Sequence, residues 1–388
     1  MKLLHVIGSM NPNTGGPCQG VRNLAMRTLE MGNTVDVVCL DDPRSEYLAK
    51  DNFQIHALGK SRGPWGYHPA LRPWLKKNLA HFDAIILNGL WQYQGYVLSK
   101  LAQHPKMPPY FIYAHGMLDP WFQNTPERRL KSIRNRFYWM LVEQHVVCHA
   151  AAVLFTCAEE MRLASETFRP YRPKRQINVG YGITKPPEYN SRMADVFAQK
   201  CPDLKGRPYF LFLGRIHPKK GVDLLIKAYS ALCRLNNNPQ LPKLVIAGPG
   251  LETDYGQAMQ KLAVEICPPQ SVFWPGMLAG DAKWGALYNC EVFVLPSHQE
   301  NFGIAVVETL SCGRPVLISD QVNIWREIKD SGAALVQANS VAGTTRLLFD
   351  WMSLPAEAKL NMTAKAKPCF QDYFSNESAC RKLLAAIG

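Results

Sequence analysis

Short apolar runs alternate with amphipathic stretches along most of the chain. KLLHVIG (2–8) leads into a Gly-rich turn and then GVRNLAMRTLEMG (20–32), whose apolar spacing predicts a helix. TVDVVCL (34–40), DAIILNG (83–89), PYFIYAHG (109–116) and AAVLFTC (151–157) read as further strands, the last followed by a helix near Ala158 and Glu159. The pattern breaks between 184 and 208, where TKPPEYNSRM is Pro-rich and polar and reads as a linker. It then restarts with PYFLFLGR (208–215), the helix VDLLIKAYSALCRL (222–235), KLVIAGPG (243–250), SVFWPG (271–276), EVFVLPS (291–297) and PVLISD (315–320). Beyond about residue 340 the chain reads as mostly helical. This succession predicts an α/β protein with parallel sheets covered by helices, in two doubly wound, Rossmann-like domains. Ligands of such sheets bind beyond the carboxyl ends of the strands. Two domains facing one another would therefore enclose a cleft.

Length agrees with that division, since 388 residues are too many for one compact core. A net charge of +13 favours an anionic partner. Part of the excess lies in PERRLKSIRNRFYWMLVEQHVV (126–147), where Arg128, Arg129, Lys131, Arg134 and Arg136 alternate with Leu130, Ile133, Phe137, Tyr138 and Trp139. That spacing gives a helix with one basic and one apolar face. It suits either a solvated surface helix or one lying against anionic lipid. Nucleic acid is not expected, because no RNP-type aromatic strand or GXXG clamp is present. The eleven cysteines show neither CxxC nor Cys/His ligand spacing, so reduced thiols in a cytoplasmic protein are expected rather than disulfides or zinc. MKLLHVIGSMNP is too short in its apolar part for a signal peptide. The longest apolar run, VVCHAAAVLFTCA (146–158), falls short of the roughly 20 residues of a membrane span.

Four places carry candidate chemistry. NTGGPCQGVRNLA (13–25) follows the first strand; Gly15 and Gly16 let a ligand approach the backbone, and the next helix aims its N–H groups at the same spot. An ordinary tight turn would need the same glycines. In GRIHPKKG (214–221), Arg215 projects from a strand end and Lys220 follows one turn later, a guanidinium and an ammonium suited to a diphosphate. In ENFGIAVVETL (300–310), Asn301, Phe302 and Gly303 are expected to begin a helix, with Glu300 just before it and Glu308 two turns on. The acidic pair would grip hydroxyls at two points of an extended ligand. His115, beside Gly116 at the end of PYFIYA, stands where a strand opens into the expected cleft.

With these stretches in view, the chain resembles the retaining GT4 glycosyltransferases of GT-B fold over essentially its full length. G-R-x4-K-G and E-x7-E within 208–320 are the most specific elements, and YAHGMLDPW (113–121) resembles the subgroup that assembles exopolysaccharides. The resemblance implies an acceptor-binding domain of residues 1–184 plus 369–388 and a nucleotide-sugar domain of 185–368, the stretch 370–387 crossing back to the first. Arg215 and Lys220 would hold the donor diphosphate and Glu308 the ribose. Glu300 and the amides of Asn301, Phe302, Gly303 and Ile304 would hold the sugar and distal phosphate. The base would meet backbone near Met277, Gly15 and Gly16 would approach the diphosphate, and His115 would stand by the anomeric centre. Related proteins often carry His at the position of Asn88 in NGLW (88–91), which puts an acceptor role there in doubt. No D-x-D pair is present and no cofactor or metal is implied, the donor being a nucleotide sugar with UDP-glucose the first choice, then GDP-mannose and UDP-galactose. A lipid-linked saccharide acceptor at the inner membrane face, with peripheral contact to anionic lipid, fits the basic helix. Closure about the linker and the returning helix would exclude water. A UDP-sugar epimerase, a phosphorylase with a pyridoxal-phosphate lysine, and a non-catalytic basic protein that binds polyanions are the alternatives.

Overall fold

The apolar runs become strands with almost no solvent exposure. In KLLHVI, Leu3, Leu4 and Val6 are buried, as are Phe210, Leu211 and Phe212 in YFLFL. Parallel strands covered on both faces have this near-continuous apolar character. The computed structural model describes residues 1–124, 129–235 and 241–388. Arg128 and the side chain of Arg129, which belong to the expected basic helix, lie outside the described residues. The chain forms two compact units, Met1–Thr184 with Ser375–Gly388, and Lys185–Phe374.

In the first unit the described strands are β1 (Lys2–Ile7), β2 (Thr34–Cys39), β3 (Gln54–Ala57), β4 (Ala84–Asn88), β5 (Tyr110–Tyr113), β6 (Ala152–Phe155) and β7 (Gln176–Asn178). Their order is β3-β2-β1-β4-β5-β6-β7, and every pairing is parallel. In the second they are β8 (Tyr209–Leu213), β9 (Lys243–Ala247), β10 (Val272–Gly276), β11 (Val292–Leu295), β12 (Val316–Ser319) and β13 (Ala334–Gln337), ordered β10-β9-β8-β11-β12-β13. Each sheet starts in its middle and winds first one way, then the other. The switch points therefore lie between β1 and β4 and between β8 and β11, where doubly wound folds place their ligands.

The return to the first unit comes at Ser375, not at the expected 369. Phe370 and Phe374, in the π-helical turn Phe370–Phe374, are buried in the second unit and hold that stretch there. The helix Asn376–Ile387 starts afresh, its N-cap Ser375 hydroxyl accepting from the Ser378 N–H at 3.1 Å. It packs on the helix Gly16–Glu30, which begins at Gly16 and not at Gly20 because Pro17 suits a first helical turn. Among the described residues no helix is long and apolar enough to cross a membrane.

Candidate functional site

At the second switch point, β8 hands the chain to Arg215, whose side chain is exposed, and the Ile216 N–H donates to the Pro249 carbonyl at 2.8 Å. The single turn Pro218–Lys220 follows, with the Lys219 N–H donating to His217 Nδ1 at 3.2 Å. At Gly221 φ is +67°, and a Cβ would stand 2.1 Å from the Pro296 carbonyl oxygen. Only glycine lets the loop come this close to the end of β11. From the other side the His298 N–H donates to the Lys219 carbonyl at 2.9 Å.

This folding delivers the Lys220 ammonium to the Glu300 carboxylate as an ion pair, each side chain 17% exposed. Burial, with the Lys219 and Arg215 cations nearby, pulls the ammonium down to about 8. Glu300 is fixed through its backbone: its N–H donates to the Gln321 carbonyl and its own carbonyl accepts from the Asn323 N–H, both at 2.9 Å. It forms a parallel bridge with Val322.

The helix begins later than expected. It is Ile304–Ser311, with Gly303 as N-cap at φ +74°, so Asn301 and Phe302 form the turn before it. Glu300 and Glu308 are therefore not two turns apart on one helix; one sits on a strand-like bridge and only the other is helical. The Phe302 ring is buried edge-on against Phe374, centroids 5.8 Å apart. Asn301 Oδ1 accepts from Asn323 Nδ2 at 3.3 Å. Glu308 accepts from Lys283 Nζ at 2.7 Å, and that ammonium also lies over the Trp284 ring at 4.1 Å. Met277 follows β10 and is exposed. Because β8, β10 and β11 run parallel, Arg215, Lys220, Met277 and Glu300 all follow the carboxyl ends of strands that end on the same side of the sheet.

The first unit has a pocket of about 250 Å³ at its own switch point, lined in part by Ser9, Thr14, Ser61, Asn88, Gln92 and Gln94. Buried Asp41 shapes the loop after β1, accepting from Ser9 Oγ at 2.6 Å and the Met10 N–H at 2.7 Å. Gly15 has φ +100° and no atom stands within 4 Å of where its Cβ or that of Gly16 would be, so this backbone is open to a ligand. Tyr181 donates its hydroxyl hydrogen to the Gly16 carbonyl at 2.8 Å.

His115 follows β5 at φ +49° and stacks on Tyr113 at 4.3 Å. Its turn is tied down from below, the Gly116 N–H donating to Glu160 at 2.5 Å while Glu160 also takes the Thr156 N–H at 2.7 Å. Burial raises the Glu160 carboxyl above its ordinary value. Asn88 Nδ2 faces the Ile86 carbonyl at 3.0 Å and His5 Nδ1 at 3.2 Å. A carbonyl only accepts, so the amide oxygen must face His115 Nε2, 3.3 Å away, and that nitrogen carries the proton. Burial, with His5 adding, pulls His115 down to about 3, so the ring is neutral at neutral pH with its Nδ1 lone pair available. Lys283, Glu160 and the pairing of Asn88 with His115 had no signature in the sequence, although NGLW marks the position of Asn88.

Residues 15–182 match the glycosyl transferase 4-like domain, and residues 196–368 match the glycosyl transferases group 1 domain. A GDP-mannose:cellobiosyl-diphosphopolyprenol alpha-mannosyltransferase of Xanthomonas oryzae is 27% identical over 350 residues, 87% of this chain and 83% of the relative. An uncharacterized glycosyltransferase of Methanocaldococcus jannaschii is 33% identical over 146 residues, so the match spans only 36% of each chain. The crystal structure of HepE from Anabaena in complex with UDP and glucose superposes with TM-score 0.70 at 15% identity, covering 99% of this chain and 98% of that one. Two glycosyltransferase domain matches in series, over two doubly wound parallel sheets, give this chain the GT-B fold, a glycosyl transferase 4-like domain followed by a group 1 domain.

Proposed function

We propose that the protein moves a hexose from a nucleoside-diphosphate sugar to a saccharide acceptor, with retention at the anomeric carbon and without a bound metal. The observation that carries this reading is the Lys220–Glu300 pair at the switch point of the second sheet, with Arg215 beside it and the helix Ile304–Ser311 starting next to it. A donor diphosphate would take over the Lys220 ammonium and meet the Arg215 fork. Glu300, released from its ion pair, would then accept from sugar hydroxyls. The amides of Asn301, Phe302, Gly303 and Ile304 would meet the distal phosphate, Glu308 the ribose and the backbone at Met277 the base.

As the bond from the anomeric carbon to phosphate oxygen breaks, charge gathers on the leaving diphosphate, and the fixed cations favour that state. The same phosphate oxygen takes the proton of the acceptor hydroxyl as its oxygen bonds to the carbon on the face the phosphate leaves. His115, neutral and held by Asn88, would orient the sugar rather than attack it. Gly15 and Gly16 would offer backbone N–H groups to the donor. The hydroxyl and amide side chains of the first-unit pocket suit saccharide hydroxyls.

UDP-glucose, the nucleotide and sugar of the HepE complex, is the first donor to test. GDP-mannose is the second reading, favoured by the Xanthomonas relative that aligns over most of the chain. That relative's name also supports a diphosphopolyprenol-linked acceptor, and with it exopolysaccharide or envelope polysaccharide assembly at a membrane face. The test pairs a thermal-shift panel of UDP- and GDP-sugars with transfer assays, with and without chelator, on Lys220→Ala and Glu300→Ala. Each variant should keep its circular dichroism and lose about 10²–10³-fold in turnover. Near-wild-type transfer by both would overturn the assignment.

A further inference from the structure

The helix Arg129–Tyr138 and the π-helical turn Trp139–Glu143 that continues it are buried along one face, at Ser132, Trp139 and Glu143. Trp139 stacks on Phe168 at 4.7 Å and donates its indole N–H to the Pro170 carbonyl at 3.1 Å. Tyr138 stacks on Trp65 at 4.1 Å. The segment is thus clamped to the first unit. On the opposite face Leu130, Ile133, Phe137, Met140 and Leu141 are 84, 53, 63, 58 and 75% exposed. At about 100° per residue these five fall in one strip roughly 100° wide. Exposed Arg136 borders the strip on one side, and exposed Arg134 and Lys131 border it on the other. Single exposed apolar residues are ordinary, but a contiguous strip rimmed by polar groups marks a contact surface.

We propose that this strip docks on an anionic bilayer: the five apolar side chains enter the boundary between head groups and acyl chains, and the flanking cations meet lipid phosphates. Charge decides between occupants. Residues 129–142 contain no Asp or Glu, so every charge on the segment's uncovered face is positive. Glu143 is buried, and burial pushes its carboxyl up to about 8. A second copy seated on the same strip would set Lys131, Arg134 and Arg136 against their own counterparts, which two-fold pairing of like charges disfavours. The strip stands independently of the donor sugar and of the transfer reaction.

The test is flotation of the full chain with phosphatidylcholine vesicles, with and without phosphatidylglycerol. Wild-type protein should float with the anionic vesicles and remain below with the neutral ones. Phe137→Asp with Leu141→Asp should lower the bound fraction about tenfold. Lys131→Gln with Arg136→Gln should lower it and flatten its salt dependence. Leu141→Ser, the milder change, should fall between. Circular dichroism and the nucleotide-sugar thermal shift should be unchanged in all of them. Failure of the wild type to float, or flotation of the Asp double variant as wild type, would overturn the proposal. So would a concentration-dependent dimer that the Asp variant converts to monomer.

Discussion

Lys220 combines two properties that set its pH behaviour: it is mostly buried, and its partner is a carboxylate that a donor diphosphate would displace under the proposed function. With the ammonium lowered to about 8 from an ordinary 10.5, the free protein should lose its cation as pH rises through 8. The kcat/KM profile, which reports the free enzyme, should therefore fall above pH 8. Folding runs the other way. Between about 8 and 10.5 the unfolded chain binds more protons at this site than the folded one, so this group's contribution to stability rises with pH. An alkaline fall in rate without a fall in thermal midpoint is expected, and Lys220→Arg should remove the fall because guanidinium stays charged. A rate profile flat from pH 7 to 10 in the wild type would rule this out. Asn88 is the second residue whose effect is indirect. Asn88→Leu removes one neutral hydrogen bond, worth about 0.5–1.5 kcal/mol, and should lower kcat/KM by roughly tenfold or less. Asn88→Asp would instead set a carboxylate against a ring already faced by His5, Tyr113 and Tyr181, raise the His115 pKa and add an acid limb to the profile. A change in rate with no change in the profile's shape would leave Asn88 as packing. The positions of Arg215, Lys220 and Glu300 beyond strand ends were legible because each follows a short apolar run in the sequence. Lys283 and Glu160 were not, since a buried or paired side chain takes its meaning from partners that the fold supplies.

Among elements, the turn that carries His115 depends on Glu160. This carboxylate lies in the helix Ala158–Thr167, one strand over, and accepts from the backbone of Gly116 and of Thr156. Glu160→Ala would take away the carboxylate that accepts from two buried N–H groups, a loss of about 1–3 kcal/mol for each group that finds no other partner. Glu160→Gln keeps one acceptor oxygen. We expect the Ala variant to lose most transfer and several degrees of thermal midpoint, and the Gln variant to recover part of both; equal losses would argue against the turn. The strands read best from sequence were the central, fully apolar ones. β3, β7 and β13 were missed because they are short, partly exposed edge strands: QIHA and QIN carry little apolar signal, and ALVQ is only four residues long. The start of the helix Ile304–Ser311 was misplaced because N-F-G offers glycine a role as first residue or as cap, and only the φ of +74° at Gly303 decides. Likewise FQDYF carries a helical pattern, and its π-helical turn follows from how Phe370 and Phe374 are buried.

For the whole molecule, the consequential feature is that the first unit is discontinuous in sequence. Its last helix, Asn376–Ile387, is reached only after the chain has built the entire second unit, and Ile183 and Ser375 then pair as a parallel bridge. Ala379, Cys380 and Leu383 are buried, with Cys380 Sγ 3.3 Å from Thr28 Oγ1 on the helix Gly16–Glu30. The Arg27–Glu377 pair at 3.3 Å is partly solvent-exposed, and pairs of this kind contribute about 0–1 kcal/mol. Apolar burial must therefore hold the helix in place. Leu383→Ala removes a fully buried side chain, which costs about 2–5 kcal/mol in comparable cores. That cost should fall on the unit built around the N-terminal sheet, although the substitution lies five positions from the C-terminus. Two-domain proteins need not unfold in one step, and a nucleotide sugar that binds the second unit raises that unit's transition by mass action. Calorimetry with saturating donor should then show Leu383→Ala lowering one transition and leaving the nucleotide-stabilised one in place. If the substitution instead lowered only the nucleotide-stabilised transition, the terminal helix would belong energetically to the second unit, whatever it touches.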